Sequence, residues 1–440
     1  MTHDPKTHDK VVLAYSGGLD TSVAVKWLGE NYGCSVIAVS ADVGQTADFE
    51  AVRARALLAG ATHCEVLDLK DEFASGYCLP ALRSNALYEG RYPLVSALSR
   101  PVIAEHLVAE ARKHGATAVA HGCTGKGNDQ VRFEVSVRAL APDLDVLAPV
   151  RTWGFTREDS VEYAERHGIP VDATRTRIYS VDDNLWGRAV ECGALEDPWA
   201  APPEDVWEMT RPVSSPPRDL VVSFEAGVPV AVDGVPMTPA RLIHHMNDVV
   251  GGFGWGRLDM VENRRVGIKS REVYEAPGAL ALIKAHQELE SITLERDLAR
   301  EKARLEIRWA ELAYDGLWHS PLRSALDAFV RESQQHVTGD VRLHLSPGQC
   351  VATGRRSATA LYDYGLATYD AEDAFRHEDS AGFVRLWGLS LETWAQRQAA
   401  KSLAYPAGKA SAASPATEEA SATVPGPHPD QVAELTGLEA

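Results

Sequence analysis

The apolar run Val11-Val12-Leu13-Ala14-Tyr15 passes straight into Ser16-Gly17-Gly18-Leu19-Asp20-Thr21, and a helix pattern follows from Ser22 to Asn31. A glycine turn set between a strand and a helix N-terminus has few uses. It presents backbone N–H groups and the positive end of the helix dipole to an anion. Ser16, Thr21 and Ser22 add hydroxyl donors at the same mouth. The spacing is neither the P-loop G-x-x-x-x-G-K-S/T nor the dinucleotide G-x-G-x-x-G. The chain is therefore expected to form around a strand, turn and helix that hold phosphate or pyrophosphate.

From Lys10 to about Val171 short apolar runs alternate with amphipathic stretches, the pattern of βαβ units around a mostly parallel sheet. Further strands are expected at Val36–Ser40, Val66–Leu69, Ala116–Ala120 and Val146–Val150, and helices at Phe49–Ala59, Pro101–His114 and Arg157–His167. Gly168 supplies the last with a stop. Ligands of open α/β sheets sit beyond the carboxyl ends of the strands, so the loops after Tyr15, Ser40 and Ala120 are the first places to look. After about Asp172 the pattern turns α+β, with strand-like Leu220–Phe224 and Val341–Leu345 and long helical segments between Leu280 and Val330. The fold class is thus α/β, a parallel-sheet nucleotide-binding domain plus a second α+β domain. The expected division is an N-terminal extension 1–9, a phosphate-binding α/β domain 10–171, a second α+β domain 172–381, a C-terminal helix 382–400, and a tail 401–440. From about Tyr405 to Gly426 the tail is Ala, Ser, Thr, Pro and Gly, too poor in large apolar groups to offset chain entropy, so it is expected to be disordered.

Lys plus Arg number 44 and Asp plus Glu 62 in 440 residues, a net charge of −18. Such a balance lacks the general attraction to phosphate backbones that nucleic-acid binders use, so nucleic acid is not an expected partner. No run of about 18 apolar residues and no apolar leader occurs, so neither a membrane nor secretion is expected. The six cysteines are scattered without a CxxC or a zinc-like spacing to histidine, which suits reduced thiols in a cytoplasmic protein.

The Ser16–Ser22 loop resembles the SGGxDS/T loop of the PP-loop ATP pyrophosphatases, related to the adenine nucleotide alpha hydrolases. Further segments resemble one family in order along the chain. They include Ala41-Asp42-Val43-Gly44-Gln45, Tyr92-Pro93-Leu94, the highly specific Thr124-Gly125-Lys126-Gly127-Asn128-Asp129-Gln130-Val131-Arg132-Phe133-Glu134, Tyr179 to Arg188, and Val261-Glu262-Asn263-Arg264 leading to Tyr274-Glu275-Ala276-Pro277-Gly278. This set is similar to the argininosuccinate synthases, from about Val11 to about Ala399. Ala97 and Ala189 stand where some relatives carry serine, and Cys123 where alanine is common.

The resemblance implies an ATP-dependent ligase of arginine biosynthesis. The ureido oxygen of citrulline attacks the α-phosphorus of ATP to give citrullyl-AMP and pyrophosphate, and aspartate then displaces AMP to yield argininosuccinate. It implies ATP with Mg²⁺, citrulline and aspartate as small-molecule partners, and a homotetramer held by a C-terminal helical arm near Gly382–Ala399. It also implies that the domain 10–171 binds ATP and that the domain 172–381 is catalytic and multimerising. ATP would be lined by Ala14, Tyr15, Ser16, Gly17, Gly18, Leu19, Asp20, Thr21, Ser22, Ala41 and Gly122. Aspartate would meet Thr124, Asn128 and Asp129. For citrulline the implied contacts are Tyr92, Ser96, Asn128, Arg132, Ser180, Glu262 and Tyr274, with Arg132 suited to the carboxylate and Glu262 to the ammonium. Asp20, Asp129 and Arg132 are the implied catalytic groups, although Asp20 equally suits a helix cap. His121 reads better as a packed histidine than as a base. Two other classes compete: a tRNA-adenylating pyrophosphatase, disfavoured by the acidic charge and the lack of a cysteine pair, and a catalytically dead ATP-binding sensor, disfavoured by the intact motifs.

Overall fold

Strand β1 (Lys10–Ala14) buries Val11, Val12 and Leu13 completely, and alternate residues point to opposite faces of the sheet it belongs to. Val11 and Leu13 pack with Val23, Leu28, Val52 and Ala56, from the helices Leu19–Tyr32 and Phe49–Leu58. On the other face Val12 meets Leu107, Ala111, Phe133 and Val137, from the helices Val95–His114 and Asp129–Leu140. Helices on both faces explain why the strand reads as a continuous apolar run. Each such side chain contributes about 1.5–3 kcal/mol by leaving water.

In the computed structural model, residues 8–170, 179–213, 216–370 and 373–404 are described. β1, β2 (Ser35–Asp42), β3 (His63–Asp68), β4 (Ala118–Ala120) and β5 (Asp145–Leu147) form a parallel sheet in the order β3-β2-β1-β4-β5. The order reverses between β1 and β4, which opens a crevice beyond their carboxyl ends.

Two expected elements shift. Residues 149–150, expected in the fifth strand, instead open a helix, Pro149–Trp153, because proline at the first helical position loses no intrahelical bond. The helix expected from Pro101 begins at Val95 and runs through Pro101. Burial of Ser96, Ala97, Leu98 and Ser99 holds that first turn in place despite the donor that proline lacks.

In the second half β6 (Ser180–Asn184) and β7 (Gly187–Glu191) form a hairpin. β8 (Arg218–Glu225), β9 (Val228–Val232) and β10 (Val235–Pro236) follow, then β11 (Arg257–Asn263), β12 (Lys269–Glu275), β13 (Gly339–Ser346) and β14 (Gln349–Arg356). They form two sheets, β10-β9-β8-β13-β14 and β11-β12-β7-β6. The expected helical stretch resolves into Pro277–Thr293, Arg296–Tyr314 and Pro321–Ser333. The largest apolar cluster draws on both halves, with Tyr92, Leu94 and Leu98 packed among Trp186, Leu220, Leu282 and Trp309.

Contacts divide the chain into a unit up to Asp363 and a second from Tyr364. In the second, a helix runs over His377–Ala404, longer than the expected arm, and Phe383, Val384, Leu386, Trp387, Leu391 and Trp394 on it are exposed. The 171/172 boundary and the expectations for residues 1–7 and 405–440 lie outside the described residues. Among the described residues no helix is long and apolar enough to cross a membrane.

Candidate active site

At the β1/β4 crevice lies a cavity of about 570 Å³. The turn after β1 forms one wall. Gly17 has φ +78, a left-handed conformation that costs an L side chain roughly 1–3 kcal/mol, and a Cβ there would stand 3.0 Å from Val52 Cγ2. Replacing Gly17 with alanine is expected to cost roughly 1–3 kcal/mol of stability, read from the urea midpoint.

Ser16 Oγ lies 3.2 Å from Thr21 Oγ1, which also donates to the Gly18 carbonyl at 3.2 Å. Gly18 occupies the helix cap position, so Asp20 is not the cap: it sits in the first turn and lines the cavity. Burial pushes its carboxyl above the usual range, against the pull of the Arg157 guanidinium. Ala14, Tyr15, Ser16, Thr21, Ala41 and Gly122 also line the cavity. Gly17, Gly18, Leu19 and Ser22 do not; Ser22 is wholly buried behind the turn, 2.8 Å from the Tyr15 hydroxyl. At Gly122 a Cβ would fall 2.7 Å from Thr21 Cγ2, so only glycine lets the loops after β1 and β4 approach this closely.

The loop after β4 leads into the helix Asp129–Leu140. Thr124, Asn128, Asp129 and Arg132 all line the cavity, whereas Lys126 is exposed and does not. Asp129 Oδ2 accepts from Arg100 at 2.8 and 2.9 Å, and Oδ1 from Arg132 at 2.8 Å. Burial works to raise the Asp129 carboxyl, but the two guanidiniums outweigh it and hold it at about 2. Asp129 therefore stays ionised across the neutral range. His121 is buried, accepts from the Cys123 N–H at 3.2 Å and stacks on Phe133, and it also lines the cavity.

Tyr314, at the end of the helix Arg296–Tyr314, joins the remaining groups. Its ring centroid lies 4.9 Å from the Arg132 guanidinium, and its carbonyl accepts from Arg132 Nε at 3.0 Å. Its hydroxyl donates to Glu262 Oε1 at 2.6 Å and accepts from Asn128 Nδ2 at 2.8 Å. Glu262 Oε2 accepts from the Tyr274 hydroxyl at 2.8 Å, and Tyr274 stacks on Tyr92 at 4.3 Å. One buried cation and one buried carboxylate are thus fixed around a single tyrosine, and both line the cavity. Tyr92, Ser96, Ser180 and Tyr274 line it as well, as does Ala189, while Ala97 is buried in the helix core.

Sequence reasoning passed over Arg100, Asp182, Glu191, Arg264 and Glu272, all of which line the cavity, and Tyr314, which frames it. Arg100 bridges Asp129 to Asp182, 2.5 Å from the latter, and Arg264 bridges Glu191 to Glu272. Asp182, Glu191 and Arg264 sit inside or beside the matched segments, which could have flagged them. Arg100 and Tyr314 carry no local signal.

Residues 10–170 match the family model described as the arginosuccinate synthase N-terminal HUP domain, and residues 179–394 match the arginosuccinate synthase C-terminal domain. The chain belongs to the argininosuccinate synthase family. Argininosuccinate synthases are ATP-dependent ligases that join citrulline to aspartate in arginine biosynthesis, and the HUP domain is their ATP-binding half. Among solved structures, the U34-tRNA thiolase NcsA from Methanococcus maripaludis aligns at 16% identity over 39% of this chain, with a TM-score of 0.26. The alignment spans 61% of the thiolase, less than two thirds of its length, and a likeness this low bears on neither fold nor function.

Proposed function

We propose that this cavity ligates citrulline to aspartate at the expense of ATP, with the residues in the following roles. The observation that carries the assignment is Arg132 and Glu262 held at opposite ends of Tyr314. A zwitterionic amino acid needs one cation and one anion, and here they share a cavity with an anion-binding turn.

Citrulline binds with its carboxylate on Arg132 and its ammonium on Glu262, among Tyr92, Ser96, Asn128, Ser180 and Tyr274. Its ureido oxygen attacks the α-phosphorus of ATP, the bond to the β-phosphate oxygen breaks, and pyrophosphate leaves toward the turn after β1, where Ser16 and Thr21 line the cavity. Aspartate, held by Thr124, Asn128 and Asp129, then attacks the ureido carbon with its amine and AMP departs. No protein nucleophile is needed, and catalysis is positioning and charge stabilisation. Asp129, ionised throughout, suits orientation of the aspartate ammonium better than proton abstraction.

Magnesium bound with the nucleotide would neutralise charge on the departing pyrophosphate. Asp20, which lines the cavity at the mouth of the turn, would hold that ion together with the phosphate oxygens.

The reading extends to a cytoplasmic homotetramer. Six free thiols support the compartment, and the exposed apolar side chains on the helix His377–Ala404 support assembly through it. Pyrophosphate release from Mg-ATP is expected to require citrulline, and argininosuccinate is expected only when aspartate is also present. Release without citrulline, or silence with both amino acids, would remove the assignment.

A further inference from the structure

Glu272 on β12 reaches the same end of the cavity as Glu262, and the hydrogen bonds there do not close with both carboxylates ionised. Tyr274 has a single hydroxyl proton, yet its oxygen lies 2.8 Å from Glu262 Oε2 and 2.9 Å from Glu272 Oε2. Glu262 already receives the Tyr314 hydroxyl on its other oxygen. Burial, followed by nearby carboxylates, raises the Tyr274 hydroxyl well above its usual range, so it stays protonated and donates. If its proton goes to Glu262, the Glu272 oxygen faces a lone pair. That contact becomes a hydrogen bond only when Glu272 carries a proton and donates it to Tyr274.

The local charges agree. Glu191 at the end of β7 and Glu272 on β12 share one guanidinium, that of Arg264, which donates to Glu272 Oε1 at 2.8 Å and also pairs with Glu191, while Glu262 on β11 is bonded by the Tyr274 and Tyr314 hydroxyls. Tyr92 faces the group from the segment before the helix Val95–His114, and Arg132 is committed to Asp129 and Tyr314. Burial first, then the negative charges of Glu262 and Glu191, push the Glu272 carboxyl up to about 7 despite Arg264.

We propose that Glu272 is a second carboxylate at the ammonium end of the citrulline subsite, holding a proton toward Tyr274 in the free protein and releasing it to solvent when the substrate ammonium enters. The carboxyl O–H bond breaks, the proton passes to water, and the ammonium replaces it as the neutralising charge. This inference rests on the assignment of citrulline to the Arg132–Glu262 pair. Binding is then coupled to pH with a definite sign. Below about 7 the free protein must give up a proton to bind, so the citrulline KM falls by up to about tenfold per pH unit as pH rises, and levels off above it.

The test is calorimetric titration of citrulline into the protein with a non-hydrolysable ATP analogue, in two buffers of different ionisation enthalpy. About one pH unit below that midpoint, wild type is expected to release close to one proton per citrulline, and Glu272→Gln none. Glu272→Asp, which keeps the carboxyl, is expected to restore release, which a purely structural role would not do. In steady state Glu272→Gln is expected to flatten the pH profile of the citrulline KM and leave that of the aspartate KM as in wild type. Binding without proton release by wild type, or release that survives Glu272→Gln, overturns the proposal. Should that variant fail to fold, the wild-type buffer comparison decides alone. An absence of citrulline binding heat would instead overturn the functional assignment on which it rests.

Discussion

Arg132→Leu is expected to lower kcat/KM for citrulline by on the order of 10²–10³-fold, about 3–4 kcal/mol, which falls within the roughly 2–5 kcal/mol lost when one partner of a buried, hydrogen-bonded charge pair is removed. Arg132 is 4% exposed, and its guanidinium lies over the Tyr314 ring while bonding the Tyr314 carbonyl and Asp129. Its loss removes the proposed citrulline carboxylate partner and one of the two cations that hold Asp129 ionised. With Arg100 alone opposing burial, the Asp129 carboxyl would move up from about 2. Arg132→Lys is not expected to rescue, because a point charge reproduces neither the stacking nor the forked geometry. Pyrophosphate release at varied citrulline checks the activity, and a denaturant midpoint separates it from folding. An unchanged citrulline KM in a folded variant would remove Arg132 from the subsite.

The second large effect is on stability. Lys302 is 1% exposed, with its ammonium 2.9 Å from Glu290 and also bonded to Glu306. Around it Asn85 donates to both carboxylates at 2.7 Å, His286 lies 2.7 Å from both Asn85 and Gln334, and Gln334 donates to Glu290 at 2.6 Å. Lys302→Met would leave one buried and one half-buried carboxylate without this cation, and a loss of about 3–5 kcal/mol at neutral pH is expected, read from the urea midpoint.

The pH dependence has a definite sign. Burial works to raise the Glu290 carboxyl, but His286 and Lys302 outweigh it and hold it below the usual range. Its contribution is therefore present above the unfolded value and lost as pH falls through the folded one. Without Lys302 both carboxyls shift upward, toward a protonated form that burial favours. The gap between wild type and variant is therefore expected to narrow in acid. Because Lys302 and Tyr314 lie on one helix, a folded but loosened variant is also expected to bind citrulline less tightly.

Several features of the fold were readable locally. The turn after β1 and the central apolar run specify the strand, the anion-binding loop and the following helix through interactions only a few residues apart. The glycine at position 122 and the stretch from Thr124 to Glu134 likewise carry their character in contiguous residues. The start of the helix at Val95 was not readable, since Pro101 argues locally against it and the burial of its first turn comes from distant segments.

By itself, then, the sequence determined the α/β class, the phosphate-binding turn and the family, and most of the site residues it singled out line the cavity, because each depends on residue type and short-range spacing. Only the tertiary structure decided that Arg100 would clamp Asp129, that Tyr314 would join Arg132 to Glu262, and that Glu272 and Glu262 would meet at the Tyr274 hydroxyl. Asn128 and Tyr314 are 186 positions apart in the chain, and Arg132 and Tyr314 182. Which partner a charged side chain finds at such separations is settled by how helices and sheets pack, and so is the charge it carries once buried.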